Sequence, residues 1–113
     1  MSKDCIFCRI VNQEIPSAKV YEDDDFLVFK DINPAAPVHL LAIPKKHIAR
    51  LSEAKADDCG TLGKFMLAIG HVAREQGLDS YRLIVNDGAG AGQTVFHLHA
   101  HILSGRQLSE KLL

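Results

Sequence analysis

Apolar positions change their spacing repeatedly along this chain, and each change marks an element. Ile6, Ile10 and Val11 recur at helical spacing, which predicts a short helix over Cys5–Asn12 that Pro16 prevents from continuing. Lys19–Glu22 and Phe26–Lys30 are short β-prone runs either side of Asp23-Asp24-Asp25, the pattern of a hairpin. Two prolines make Asn33–Pro37 a loop, and Val38–Ile43 reads as a strand stopped at Pro44. From Asp57 to Gln76 the residues Leu62, Phe65, Met66, Ile69, Val72 and Ala73 fall on one helical face, with Asp57 or Asp58 as the cap and Gly77 as the stop. Tyr81–Asn86 is a further strand, Asp87–Gly92 a glycine loop, and Val95–Leu103 a last strand. The pattern predicts an α+β fold with a mostly antiparallel sheet, one long helix and one or two short ones.

At 113 residues the chain suits a single domain, 1–113, with one core, and no repeat or low-complexity linker divides it. A net charge of -1 with mixed signs offers no basic field, which argues against nucleic acid or an anionic membrane as partner. The first residues lack the charged and apolar regions of a signal peptide and no later run is long enough to span a bilayer, so a cytoplasmic protein is expected. An odd cysteine count, with Cys5 and Cys8 in a Cys-x-x-Cys pair, points to metal or thiol chemistry rather than a disulfide framework.

The candidate chemistry is concentrated near the end. In Val95–Leu103, His97, His99 and His101 alternate with Phe96, Leu98, Ala100 and Ile102, the period-2 pattern that puts all three imidazoles on one face of a strand. Neighbouring histidines on such a strand stand roughly 6 to 7 Å apart, too far for one ion to take all three. Solvated polar residues on an open sheet face would satisfy the same alternation. Three in register favour instead the side chain whose pKa suits nucleophilic and acid–base work near neutrality. A catalytic zinc held by two of them with His39 or Glu22 is the rival enzymatic reading.

The loop Gly88-Ala89-Gly90-Ala91-Gly92 followed by Gln93 and Thr94 leads directly into this strand. It is no dinucleotide fingerprint, since Gln93 stands where a third glycine is required and a strand follows where a helix should. It reads either as a plain hairpin loop or as a set of backbone N–H groups aimed at an anion, with side-chain donors from Gln93 and Thr94. A phosphate held there would face His99, the geometry for attack at phosphorus.

These residues resemble the histidine-triad (HIT) family, and within it the branch of histidine-triad nucleotide-binding proteins. The likeness runs through Asp4–Cys8, Glu14–Pro16, Phe29–Pro34, His39–His47, Gly92–His97 and the triad itself, nearly the whole chain. It implies a homodimer that hydrolyses purine nucleoside 5'-phosphoramidates to a nucleoside monophosphate and an amine, with no organic cofactor. It makes His99 the nucleophile, with His101 at the phosphate or leaving group and His39 supporting from the neighbouring strand. It makes Asp31 the ribose carboxylate, places Asn86, Gly92, Gln93 and Thr94 around the phosphate, and builds the walls of the base pocket from Ile6, Phe7, Ile10, Phe29, Ile32 and Leu41. The chemistry further requires a fixed tautomer of His99, and its second ring nitrogen is expected to donate to a backbone carbonyl.

Cys5 and Cys8 have the gap of a zinc knuckle, and His47 with His97 would complete a Cys2His2 tetrahedron if the N-terminal segment packs nearby. A simple pair of surface thiols is the alternative. Zinc there would make His97 a structural ligand anchoring the catalytic strand and leave His99 and His101 for chemistry. His71 and Cys59 are read as ordinary surface and packing residues. Thr94 replaces the serine of many relatives, and the chain has no tryptophan, so a preference set by a C-terminal one does not carry over. Hydrolysis of dinucleoside polyphosphates, or a purine-nucleotide-binding module with little turnover, remain open as other functions.

Overall fold

The structure is a computed structural model that describes residues 4–111. Its elements are the helix α1 (Ile6–Val11), strands β1 (Lys19–Glu22), β2 (Phe26–Lys30) and β3 (Val38–Pro44), the long helix α2 (Cys59–Glu75), β4 (Arg82–Ile84) and β5 (Ala100–Ser104). The five strands form one sheet in the order β1-β2-β3-β5-β4, and every pair is antiparallel, the sheet type that the sequence pattern predicts.

Continuous apolar runs in β2 and β3 follow from a sheet covered on both faces. Phe26, Val28, Leu40 and Ala42 point to one side with Ala100 and Ile102, and there meet Phe65, Ile69 and Val72 of α2. The alternate residues Leu27, Phe29, Leu41 and Ile43 point to the other side, where Phe7, Cys8 and Ile10 of α1 cover them. His39 of β3 and His101 of β5 fall on this second face by the same period-2 rule, since Leu41 pairs with His101 and His39 with Leu103. Gly77 ends α2 at φ +70°, the left-handed stop its position suggests.

Three expectations need correction. Regular pairing in the last strand begins only at Ala100, and residues 95–99 are irregular. Their backbone is drawn toward a different partner: Leu98 N–H donates to Ile48 O at 2.6 Å, and the His97 ring bonds Pro44 O, so this segment hooks onto the chain after β3 rather than running in the ladder. The three histidines therefore do not share one strand face. Strand β4 is likewise shorter than Tyr81–Asn86, at three residues.

The face of α2 is narrower than its periodicity suggests, because Met66 is 56% and Leu67 74% exposed while Phe65, Ile69, Val72 and Ala73 are buried. Asp58 stands at the head of α2 but does not cap it with its side chain. Its carboxylate accepts instead from the Lys46 ammonium and from Lys55 N–H, tying the loop after β3 to the short turn before the helix.

Candidate active site

The irregular stretch before β5 makes His99 different from its neighbours. Its Nδ1–H donates to His97 O at 2.7 Å, so in the neutral ring the Nε2 lone pair is left uncommitted. The carbonyl that holds the tautomer is thus two residues upstream, a contact a regular strand cannot make. Phe7 of α1 meets the imidazole edge-on, with centroids 5.1 Å apart at 90°, and His101 lies on another side at 5.1 Å.

A directed set of hydrogen bonds fixes the next two rings. Ala35 N–H donates to His39 Nδ1 at 2.9 Å, which leaves the His39 proton on Nε2. That N–H faces His101 Nδ1 at 2.9 Å and Asp31 Oδ2 at 3.3 Å. His101 Nδ1 is then an acceptor, and its own proton sits on Nε2, on the side of the ring away from His39. Burial, followed by the facing His99 and His39 rings, holds the His101 imidazole below its ordinary range. Asp31, His39 and His101 bring three possible ligand atoms together. They fit a cation poorly, because freeing His39 Nε2 as a ligand would put a proton on Nδ1 against the Ala35 N–H. Glu22, the other candidate partner for a catalytic ion, is engaged with Lys19 and Lys45.

Beside this network, between α1 and the sheet, lies a cavity of about 170 Å³. Ile6, Phe7, Ile10, Phe29, Leu41 and Ile32 all line it, with Asp31 at one end. Ile32 is 91% exposed, so it forms a rim rather than a wall. Asp31 Oδ1 accepts from Asn33 N–H at 2.8 Å, which fixes the carboxylate where the chain turns out of β2.

The glycine loop is built differently from an anion cradle. Ala91 and Gln93 N–H donate to Gly88 O, and Gly92 N–H donates to Ala89 O, so these amides are spent inside the turn. The Gln93 side chain is buried and also turned inward: its Oε1 accepts from Gly88 N–H at 2.8 Å, and its Nε2 donates to Ala49 O and Val95 O at 2.9 and 3.0 Å. Gln93 braces the loop rather than offering a donor to a ligand. Gly88, at φ +96°, lies where a Cβ would come within 2.8 Å of the Arg50 guanidinium. Thr94 is exposed beyond the turn, and the Asn86 amide lies close to Gly92.

His97 belongs to a second cluster. Its Nε2–H donates to Pro44 O at 2.7 Å, which frees Nδ1. That nitrogen lies 3.3 Å from Cys5 Sγ, 3.5 Å from Cys8 Sγ and 3.3 Å from His47 Nδ1, and Cys8 Sγ lies 3.2 Å from His47 Nδ1. In a tetrahedron with metal bonds of about 2.3 Å to sulfur and 2.0 Å to nitrogen, the nitrogen–nitrogen edge is roughly 3.3 Å, a nitrogen–sulfur edge roughly 3.5 Å and the sulfur–sulfur edge roughly 3.8 Å. The four atoms therefore fit a tetrahedral cation. Cys5 and Cys8 are buried thiols, and burial pushes the His97 imidazole down to about 4, the neutral form a ligand needs.

A HIT domain matches residues 12–108. The chain belongs to the HIT family. An uncharacterised HIT-like protein of Synechocystis is 54% identical to this HIT protein over 110 residues, 96% of each chain. Protein HitA of Neisseria gonorrhoeae is 50% identical over 101 residues, 88% of this chain and 94% of that one. Among solved structures, a HIT family hydrolase from Clostridium thermocellum matches with a TM-score of 0.95 at 46% identity, over 100% of both chains. A histidine triad protein from Clostridium difficile matches with a TM-score of 0.94 at 45% identity, over 98% of each.

In this HIT protein the structure also brings in residues that the motifs did not single out. Ala35 acts through its backbone, which no pattern reports. Ile15, Pro16, Ser17 and Ala18 close the cavity from the segment before β1. Of these, Ile15 and Pro16 were visible only as a family likeness. No helix of the described residues is long and apolar enough to cross a membrane.

Proposed function

We propose that this HIT protein hydrolyses purine nucleoside 5'-phosphoramidates through a nucleotidyl-histidine on His99. The observation that carries this reading is the His99 ring itself, its Nδ1–H held by His97 O and its Nε2 left for a reacting partner, beside His101 and an apolar cavity ending in a carboxylate. The base enters between Phe7, Ile10, Phe29 and Leu41, the ribose hydroxyls donate to Asp31, and the 5'-phosphorus comes to His99. The hydrolase named among the similar structures supports the same class of reaction.

His99 Nε2 attacks phosphorus and the P–N bond breaks. The departing nitrogen takes up one proton and leaves as an amine, while the Nε2–H of His101 hydrogen-bonds the phosphoryl group or the leaving nitrogen. Water then attacks the nucleotidyl-histidine, releases the nucleoside monophosphate and gives up one proton, so the cycle consumes only water. By the resemblance Asn86 and Thr94 hold the phosphate oxygens, while Gly92 and Gln93 shape the turn before Thr94.

Zinc is the ion that suits Cys5, Cys8, His47 and His97. When bound, it supplies a closed four-ligand staple with no open position for a reacting water. We also infer that the chain acts as a homodimer in the cytoplasm. The resemblance implies the pairing, and the outer position of β4 with the exposed Met66 and Leu67 supports it.

Intact-protein mass spectrometry after rapid quenching without acid tests the central claim. An adduct of one nucleoside monophosphate is expected on wild type, longer-lived on His101→Ala, and absent from His99→Ala. Turnover with no adduct, abolished by chelation, would replace this mechanism with attack by metal-bound water. A faster turnover of diadenosine polyphosphate than of the phosphoramidate would move the activity to the P–O–P bond.

A further inference from the structure

Three glycines in the turn 88–92 give it a large conformational freedom to lose, and Gly88 and Gly92 use that freedom, at φ +96° and +93°. Such a turn keeps one shape only if its surroundings hold it. The segment after β3 does so at several points. Ile48 O accepts from Leu98 N–H and Ala49 O from Gln93 Nε2, while Ser52 N–H and its hydroxyl donate to the Asp87 carboxylate at 2.7 and 3.2 Å. Arg50 is the charged member of this set. Its Nε–H donates to Asp87 Oδ1 at 2.5 Å, and a terminal nitrogen of the same guanidinium covers Gly88, 2.8 Å from where a Cβ would stand. One rigid, planar group therefore grips two consecutive residues at the entrance of the turn, directly after Asn86.

We propose that Arg50 is the positioning residue of the loop that receives the nucleotide phosphate, an inference that rests on the nucleotide reading above. Asn86 is joined to Asp87, and its amide lies against Gly92, so the two ends of the turn meet beside it. Fixing Asp87 and Gly88 thus orders the stretch from Asn86 to Thr94 before a ligand arrives. Without the guanidinium, binding itself must order that stretch, which costs affinity. A lysine would keep a charge beside Asp87 but would lose the flat contact with Gly88. The cavity read as the base site is lined by α1, the segment before β1, and residues of β2 and β3 with Asp31 and Ile32, and by none of residues 86–94. The effect of Arg50 therefore falls on the phosphate and not on the base.

Calorimetry with AMP and with adenosine, which carries no phosphate, separates this role from general support of the fold. Arg50→Ala should weaken AMP about tenfold and leave adenosine within about twofold of wild type. Because the ion pair is partly exposed, the same change should lower the melting temperature by only about 5 °C or less. Asp87→Ala should weaken AMP by the same factor, and the double variant should be no weaker than either single one, since both changes remove one contact. Arg50→Lys should lose about threefold for AMP alone, and it decides the matter if the alanine variant does not fold. Equal losses for AMP and adenosine would make Arg50 a support of the whole fold. A loss in Arg50→Ala with none in Asp87→Ala would mean that the guanidinium meets the phosphate itself, and unchanged AMP affinity in the Arg50 variants would remove it from binding. Each of these overturns the proposal while leaving the nucleotide reading intact. Wild-type protein that binds neither AMP nor adenosine would overturn the nucleotide reading, and this proposal with it.

Discussion

Zinc binding at the Cys5, Cys8, His47 and His97 cluster, as proposed above, is tested by how far added metal holds the molecule together. The four candidate ligands come from α1 and its N-cap, from the turn after β3 and from the irregular segment before β5, so one ion bound there would tie three otherwise separate stretches. Three of the four are buried, and His97 has no exposed surface at all. The site exists only in the folded state, so occupancy stabilises by RT ln(1 + [Zn]/Kd), about 4 kcal/mol when free zinc exceeds Kd a thousandfold. For a chain of this length that corresponds to a rise of roughly 15 °C in melting temperature. The assay is a thermal melt by circular dichroism on chelator-treated protein titrated with zinc, with the metal content of untreated protein measured by elemental analysis. Wild type should rise with zinc to a plateau at one ion per chain, and Cys8→Ser should rise far less. The loss should reach function too, since α1 carries Ile6, Phe7 and Ile10 of the cavity wall and His97 O holds His99. Metal-free protein should therefore bind AMP more weakly. Equal melting temperatures with and without zinc, and no zinc in the purified protein, would refute the reasoning.

Gln93→Ala should destabilise by about 2 to 4 kcal/mol in urea unfolding, because it strands Gly88 N–H, Ala49 O and Val95 O at once. The Lys46 ammonium, followed by Lys55 N–H, holds the Asp58 carboxyl below its ordinary range. That contribution is complete above the ordinary carboxylate value of about 4 and is lost as pH falls through the lower folded value. Wild type should therefore be more stable than Asp58→Asn at pH 6, with the gap in melting temperature shrinking as the pH is taken below about 4. Sedimentation should give twice the chain mass for wild type, and Leu67→Glu should shift it toward the single chain. An unchanged dimer would place the contact elsewhere.

The cavity walls were legible because the family likeness marks them and because their chemistry is local to each residue: Phe7, Ile10, Phe29 and Leu41 are apolar wherever they fall, and the structure brings them to one space. The four-ligand cluster was legible in the same way, as residue types awaiting a fold that packs α1 against the turn after β3. The role of Gln93 was not. Its amide looks like a donor for a ligand, and only the path of residues 88–95 shows that every polar atom of it is used internally.

Periodicity determined the succession of strands and helices along the chain and the glycine stop of α2, since each depends on spacing over a few residues and on backbone preference. It also predicted a regular strand through all three histidines, and there the tertiary structure decided otherwise. His97 is pulled to Pro44 O and to the thiols of α1, and Leu98 to Ile48 O, partners some 50 and 90 residues distant that no local pattern contains. Breaking the ladder before Ala100 is what separates His97, turned into the metal cluster, from His99, free at one nitrogen, and His101, bonded to His39. Alternation places side chains by turns on two faces; only long-range hydrogen bonds give each histidine its own partner.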